Sequence, residues 1–271
     1  MTISMLANLL LFLLACAPSA VFAQTAEEQA RIAWVEQRGQ LLFEIDRAAW
    51  VTTDDLVARI GPRVSEIKGW TVERDGSAYV VAYYVGEGDA RAVLYRGRVE
   101  NNRVVSGEVF AEGSRPPLTA AQRRIADARG VFARLERRPC TASAFNIAVI
   151  PPETPDAPID VYALSAQVEN DVYPFGGHYR ATLSPSGEIV AQRAFTNACV
   201  NMPTRREGRT TPAALGITHL LDPIPTEIHV FMSIWTRFPL FVGTSNPDRV
   251  WSVEGPHIRL VQIPAAPAPR T

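Results

Sequence analysis

The residue types suited to acid–base or metal chemistry gather towards the C-terminal end of the chain. All four histidines, His178, His219, His229 and His257, lie there, with Asp222 and Glu227 close by in sequence. A divalent metal needs three or four such ligands converging about 2.0–2.2 Å from one point. Alternation along an extended segment would put Glu227 and His229 on one face, which gives a pair. The spacing to the other histidines fits no zinc motif, so each reads as an isolated surface or hydrogen-bonded residue. The nucleophile, phosphate and dinucleotide signatures are missing as well. There is no G-x-S-x-G elbow, no H-E-x-x-H helix, no S-x-x-K with its partner motifs, no P-loop, and no G-x-G-x-x-G after a strand. No catalytic residue, metal ligand or cofactor is therefore assigned.

The most unusual local string is Tyr173-Pro-Phe-Gly-Gly-His-Tyr179. Gly176 and Gly177 permit positive φ or close backbone approach, and Tyr173, Phe175 and Tyr179 would line a small cleft with His178 as its polar group. These four residues are the candidate ligand contacts; a hairpin loop with aromatic packing is the structural alternative. Asp54 and Asp55 read as charges at a helix N-terminus rather than an acid–base pair. The tryptophans, Trp34, Trp50, Trp70, Trp235 and Trp251, are scattered, and core packing is the expectation for each.

Several elements must position these groups. Trp34, Val35, Leu41, Leu42, Ile45, Ala48 and Ala49 recur at helical spacing, predicting a helix over 25–50. A second short helix follows, capped by Thr52 or Thr53 and stopped by Gly61-Pro62. From Trp70 to Phe110 the period changes to two, with turns at Asp75-Gly76, 86–89 and 100–102, predicting an antiparallel meander. Thr119 and Gln122 form a capping-box signature for a helix over 119–137. Strands return at 145–150, 159–168, 178–184 and 188–196. Segments 228–236, 239–243, 249–253 and 258–263 complete the strand set, and 228–242, apolar on both faces, suits a sheet centre. The stretches Arg96–Phe110 and Arg180–Phe195 share a strand, turn and strand rhythm, each after a helix, but any two hairpins are partly alike in this way, and a true duplication is the lesser reading.

The expected fold class is α+β: antiparallel β-meanders with N-terminal and central helices packed against the sheets. The expected units are a signal peptide at 1–23, a helical hairpin plus meander at 24–115, and a helix plus antiparallel sheet at 116–263. A Pro/Ala-rich disordered tail occupies 264–271.

Residues 1–23 carry no charged side chain, and an apolar run from Met5 to Ala15 leads into Val21-Phe22-Ala23, a small-residue site for cleavage before Gln24. Export to the periplasm or beyond is expected, with a lipoprotein anchored through Cys16 as the alternative. Of the three cysteines, Cys140 and Cys199 remain after cleavage, and an oxidising compartment predicts that they bond. Closing that loop would stabilise the fold by about 4 kcal/mol in the chain-entropy model.

With 27 basic and 28 acidic residues the formal net charge is −1, so no broad field favours nucleic acid, and membrane association would require lipid on Cys16. The functional expectation is an exported, non-enzymatic binding module for an envelope protein or a small ligand. The alternative is an exported hydrolase, metal-dependent or not, built on the C-terminal histidines. Intact mass spectrometry of the secreted fraction should give a chain starting at Gln24 and two hydrogens lighter than its reduced form. Two free thiols would overturn the bonded pair.

Overall fold

The structure, a computed structural model, describes residues 24–205, 211–245 and 248–262. The expected signal segment, residues 206–210, residues 246–247 and the Pro/Ala tail lie outside the described residues.

The first element is one helix, α1 (Ala26–Ile60), about 50 Å long, where the sequence suggests two. Thr25 caps it by accepting from the Glu28 amide, and Gly61, at φ 54°, closes it. The expected break at Thr52-Thr53 does not occur because both hydroxyls turn back onto the helix. Thr52 donates to the Ala48 carbonyl at 2.7 Å and Thr53 to that of Ala49 at 2.8 Å, and Tyr83 closes over both. Asp55, which would otherwise serve a new N-terminus, accepts from Arg59 one turn on and from the Tyr95 hydroxyl, each at 2.6 Å.

The meander forms as expected, with β1 (Gly69–Asp75), β2 (Ala78–Val85), β3 (Ala92–Glu100) and β4 (Arg103–Val109) pairing in chain order. Next comes α2 (Ala120–Ala133), whose capping box uses Thr119 and Gln122. A second four-stranded antiparallel sheet follows, from β5 (Asn146–Ile150), β6 (Ile159–Leu164), β8 (Tyr179–Leu183) and β9 (Ile189–Ala194). Between β6 and β8, β7 (Val172–Pro174) leaves to pair with β10 (Asn201–Pro203). A helix followed by a four-stranded antiparallel sheet thus occurs twice, and Arg96–Phe110 and Arg180–Phe195 span the last hairpin of each.

The last unit departs from the sequence expectation. Between β11 (Leu215–His219) and β12 (Leu240–Ser245) lies a helix, α3 (Glu227–Thr236), where a strand over 228–236 is suggested. Strands β11 and β12 run parallel, and a parallel pair needs a crossover, which α3 supplies. The His229 ring accepts from the Thr226 amide at 3.0 Å and starts the helix. Ile228, Val230, Phe231 and Met232 are all buried, and so are the polar Glu227, His229, Ser233 and Thr236, so the helix is enclosed over most of its surface. Consequently Glu227 and His229 do not share a strand face. Strands β13 (Asp248–Glu254) and β14 (His257–Leu260) complete this sheet antiparallel to β12.

The molecule is therefore α+β, with α1 along its centre. Strands β5 and β6 are buried on both faces. Ala148, Ile150, Tyr162 and Leu164 join the main core with α1, whereas Val149, Val161 and Ala163 pack under Ile125, Ala128 and Phe132 of α2. Helices α1 and α3 meet at Gly39, where a Cβ would stand 2.5 Å from Val230 Cβ and 2.6 Å from the Glu227 carbonyl oxygen. Glycine to alanine inside a helix ordinarily stabilises by about 0.5–1 kcal/mol. Here the backbone contact outweighs that gain, and Gly39→Ala should destabilise by about 1–3 kcal/mol in urea unfolding. A more stable variant would show that the helices can separate without loss.

Candidate functional site

One face of α1 presents Phe43, Asp46, Arg47, Trp50 and Thr53 at helical spacing, and these residues form one wall of a cleft of about 880 Å³. Trp70 of β1 and Asn102 of the β3–β4 turn border it from the meander. Asn146 of β5, Gln167 beyond β6 and Tyr173 of β7 come from the second sheet, and the C-terminal turn of α3 adds Ile234, Trp235 and Arg237. The cleft lies where four elements end or turn, so their side chains converge without closing the space. Its volume falls within the roughly 300–1,000 Å³ range of small-molecule sites.

The aromatic lining is braced from behind. Tyr173 meets Trp235 edge-on with ring centroids 5.3 Å apart, and Trp235 leans on Phe231 at 5.5 Å. The Arg129 guanidinium sits 3.6 Å from the Trp70 ring centroid and donates to the Ile147 carbonyl; burial pushes its pKa down to about 10. Arg47 lies 4.5 Å from the centroid of Trp50, which is 51% exposed. Core packing holds for Trp251, which is fully buried, but not for Trp34 and Trp50, which are among the exposed large apolar residues.

Thr53, Gln167 and Thr236 bond within the protein, but the rest of the polar lining is uncommitted. Among the described residues, the side chains of Asp46, Arg47, Asn102, Asn146 and Arg237 have no hydrogen-bond or ion-pair partner. Surrounding protein strips water from Asp46 and pushes its pKa up to about 6, with Arg47 pulling the other way. Arg237 takes the left-handed conformation, φ 61° and ψ 22°, at the cap of α3, a position that ordinarily favours glycine. An arginine there costs about 1 kcal/mol of backbone strain relative to glycine, and it sets a guanidinium at the cleft.

Of the residues singled out in sequence, Tyr173 lines this cleft, whereas Phe175, His178 and Tyr179 point elsewhere. Phe175 is in the main core. His178 is fully enclosed, with Nε2 2.7 Å from the Pro174 carbonyl and Nδ1 accepting from the Ser165 amide; burial pushes its pKa down to about 4. Tyr179 packs edge-on against Phe145 and donates to the Arg138 carbonyl. The glycine pair serves close packing at the disulfide. Cys140 and Cys199 are joined, and a Cβ on Gly177 would lie 2.5 Å from Cys140 Sγ.

Two of the other histidines do come together, inside a lattice of ion pairs. The His219 and His229 rings are 4.7 Å apart, and His219 Nε2 lies 2.8 Å from an Asp222 oxygen. Arg193 grips Asp222 through both oxygens, at 3.0 and 2.6 Å, and the hydrogen bonds and charges of His219 and Arg193 hold its carboxyl well below the usual range. Burial, reinforced by His219, pushes His229 down to about 3. Glu227 pairs with Arg180 at 2.5 Å and accepts from Tyr162 at 3.2 Å. Every charge here has an internal partner, and the adjoining cavity of about 40 Å³ leaves space for water rather than substrate. Among the described residues no three His, Cys, Asp or Glu side chains form a metal-holding group. His257 is exposed at the start of β14.

Sequence reasoning missed Asp46, Arg47, Trp50, Trp235 and Arg237. The usable signal was the 43, 46, 47, 50 and 53 spacing, which mixes aromatic, acidic and basic residues on one helix face.

No family model and no curated protein matches the chain. Among solved structures, a Bacteroides eggerthii protein provisionally named as periplasmic aligns over 54% of this chain and 88% of its own at 16% identity. The TM-score is 0.17, a superposition that carries no inference about fold or function.

A carboxyl whose folded pKa exceeds its unfolded value, here about 6 against 3.8, holds a proton in the fold that the unfolded chain has released. Its contribution to stability is therefore present below pH 3.8 and falls away as pH rises through 6. Asp46→Asn should stabilise the protein by about 1–2 kcal/mol at pH 7.5, less than the whole shift implies because solvent reaches part of the side chain. At pH 4 most of the gain should vanish. Urea unfolding at the two pH values measures this, and an equal gain at both would show that the carboxyl is not desolvated.

Proposed function

We propose that the protein is an exported, non-enzymatic binding protein that holds a small ligand in the cleft between α1, the meander, the second sheet and the end of α3. The observation carrying this reading is the set of uncommitted polar side chains, Asp46, Arg47, Asn102, Asn146 and Arg237, around a braced aromatic lining. Asp46 and Arg47 are partly buried, and a ligand that hydrogen-bonds them recovers the cost of their lost hydration, while the exposed Asn102, Asn146 and Arg237 are free to turn onto it. Export is supported by the uncharged apolar segment before Gln24 and by the Cys140–Cys199 bond, which suits an oxidising compartment. Release as a soluble protein and attachment through Cys16 are both compatible with this reading.

The hydrolase alternative has less support. An acid–base pair must reach the atom it protonates. His219, His229 and Asp222 are engaged with one another and with Arg193, and His178 is spent on backbone groups.

The probe for the binding reading is 8-anilinonaphthalene-1-sulfonate, whose aromatic rings and single anionic group match the lining. Native protein should bind it saturably at one site, and Trp50→Ala should weaken that binding by about ten-fold, consistent with loss of one aromatic contact worth about 1.4 kcal/mol. Unsaturable binding, or full binding by Trp50→Ala, would exclude the cleft as the site.

A further inference from the structure

We infer that the cleft's ligand is a short glycan bearing carboxylate groups. The inference rests on the binding reading above and adds the chemistry of the ligand. The lining combines flat aromatic rings with planar polar groups that can bond two neighbouring atoms at once: the Asp46 carboxylate, the Asn102 and Asn146 amides, and the Arg47 and Arg237 guanidinium groups. A pyranose ring has an apolar C–H face and an equatorial rim of adjacent hydroxyls. The first stacks on tryptophan or tyrosine, and the second is matched by bidentate side chains.

The balance of donors and acceptors narrows the class. Asp46, which accepts no hydrogen bond among the described residues, wants a ligand that donates them. Hydroxyls do so; a phosphate or an acyl chain does not. No glycine-rich phosphate cradle appears in the sequence. A purely apolar ligand would strip water from one carboxylate and two guanidinium groups and return nothing to them.

The charge supplies the acidic component. Two arginines and one aspartate border the cleft, and neither arginine has an ion-pair partner among the described residues. Carboxylates on the ligand would satisfy both guanidinium groups in the bidentate geometry that arginine favours. Arg237 occupies its place despite a backbone conformation better suited to glycine, so its side chain, rather than the turn, accounts for the residue. The volume of about 880 Å³ exceeds what one sugar ring fills and suits a short oligosaccharide.

The test is an array carrying uronic-, sialic- and muramic-acid oligosaccharides beside neutral ones of the same length, probed with the labelled full chain, with affinities of the best binders measured in solution. Acidic glycans should be retained at least about ten-fold more tightly than their methyl-esterified forms, with affinity falling as salt is raised. Arg237→Gly relieves the left-handed strain, so it should fold with an unchanged or higher Tm while losing about ten-fold or more in glycan affinity. Equal retention of neutral or esterified glycans would overturn the acidic assignment. Retention of no glycan, or full affinity in Arg237→Gly, would overturn the inference as a whole. In either case one-site binding of the naphthalene sulfonate probe would still stand, so failure of the glycan inference is distinguishable from failure of the binding reading.

Discussion

The crossing of α1 over α3 at Gly39 is the contact on which the other arrangements depend. Helix α3 is strongly apolar, and even its polar Glu227, His229, Ser233 and Thr236 are buried, so it depends on cover around most of its surface. The missing side chain at Gly39 lets Val230 and the Glu227 carbonyl approach α1 directly, and the third sheet covers the opposite side through Val253 and Leu240. Because α3 is also the crossover between parallel β11 and β12, its burial fixes where that sheet lies against α1. The two ends of α3 then have different fates. Glu227 at the start is anchored by Arg180 and Tyr162, whereas Trp235 and Arg237 at the end border the cleft.

Around the anchored end runs a lattice of charges linking α1 to the second sheet and to α3. Arg38 of α1 pairs with Asp160 of β6, which also accepts from Thr182 of β8 at 2.5 Å. Arg180 pairs with Glu227, and Arg193 of β9 with Asp222. Buried pairs of this kind add little net stability, because the desolvation cost nearly cancels the attraction. Losing one partner would strand the other, so the lattice penalises wrong registers of the sheet against α1 more than it rewards the right one. His219 and His229 belong to this lattice, and the enclosure of both rings follows from it.

The cleft lies at the opposite end of α3, where the elements terminate instead of interlocking. Its rings are braced by core aromatics and by Arg129, yet Asp46, Arg47, Asn102, Asn146 and Arg237 are left without hydrogen-bond or ion-pair partners among the described residues. Two observations set this surface apart from ordinary solvated protein: a carboxyl pushed up by desolvation beside an arginine, and a second arginine held in a left-handed turn. Both run against local stability, which is the usual signature of a site kept for recognition.

Patterns of short range were legible in the sequence. The period-two run from Trp70 to Phe110, with its Asp75-Gly76 turn, specified a meander because alternation and turn chemistry act within a few residues. The Thr119–Gln122 capping box placed the start of α2, and cysteine usage specified the Cys140–Cys199 bond. The sequence did not decide whether 228–236 would be strand or helix, since its apolar residues fall on both alternating faces and fit either period. Nor did it decide whether Thr52 and Thr53 would cap a new helix or bond back within an existing one; Tyr83, about thirty residues away, settled that. The cleft was hidden for the same reason. Asp46, Trp70, Asn146 and Arg237 lie on four separate elements, and only packing α3 against α1 brings them to one surface. Local hydrogen bonding and periodicity are written in neighbouring residues, whereas a site assembled from distant ones exists only once burial has chosen which faces meet.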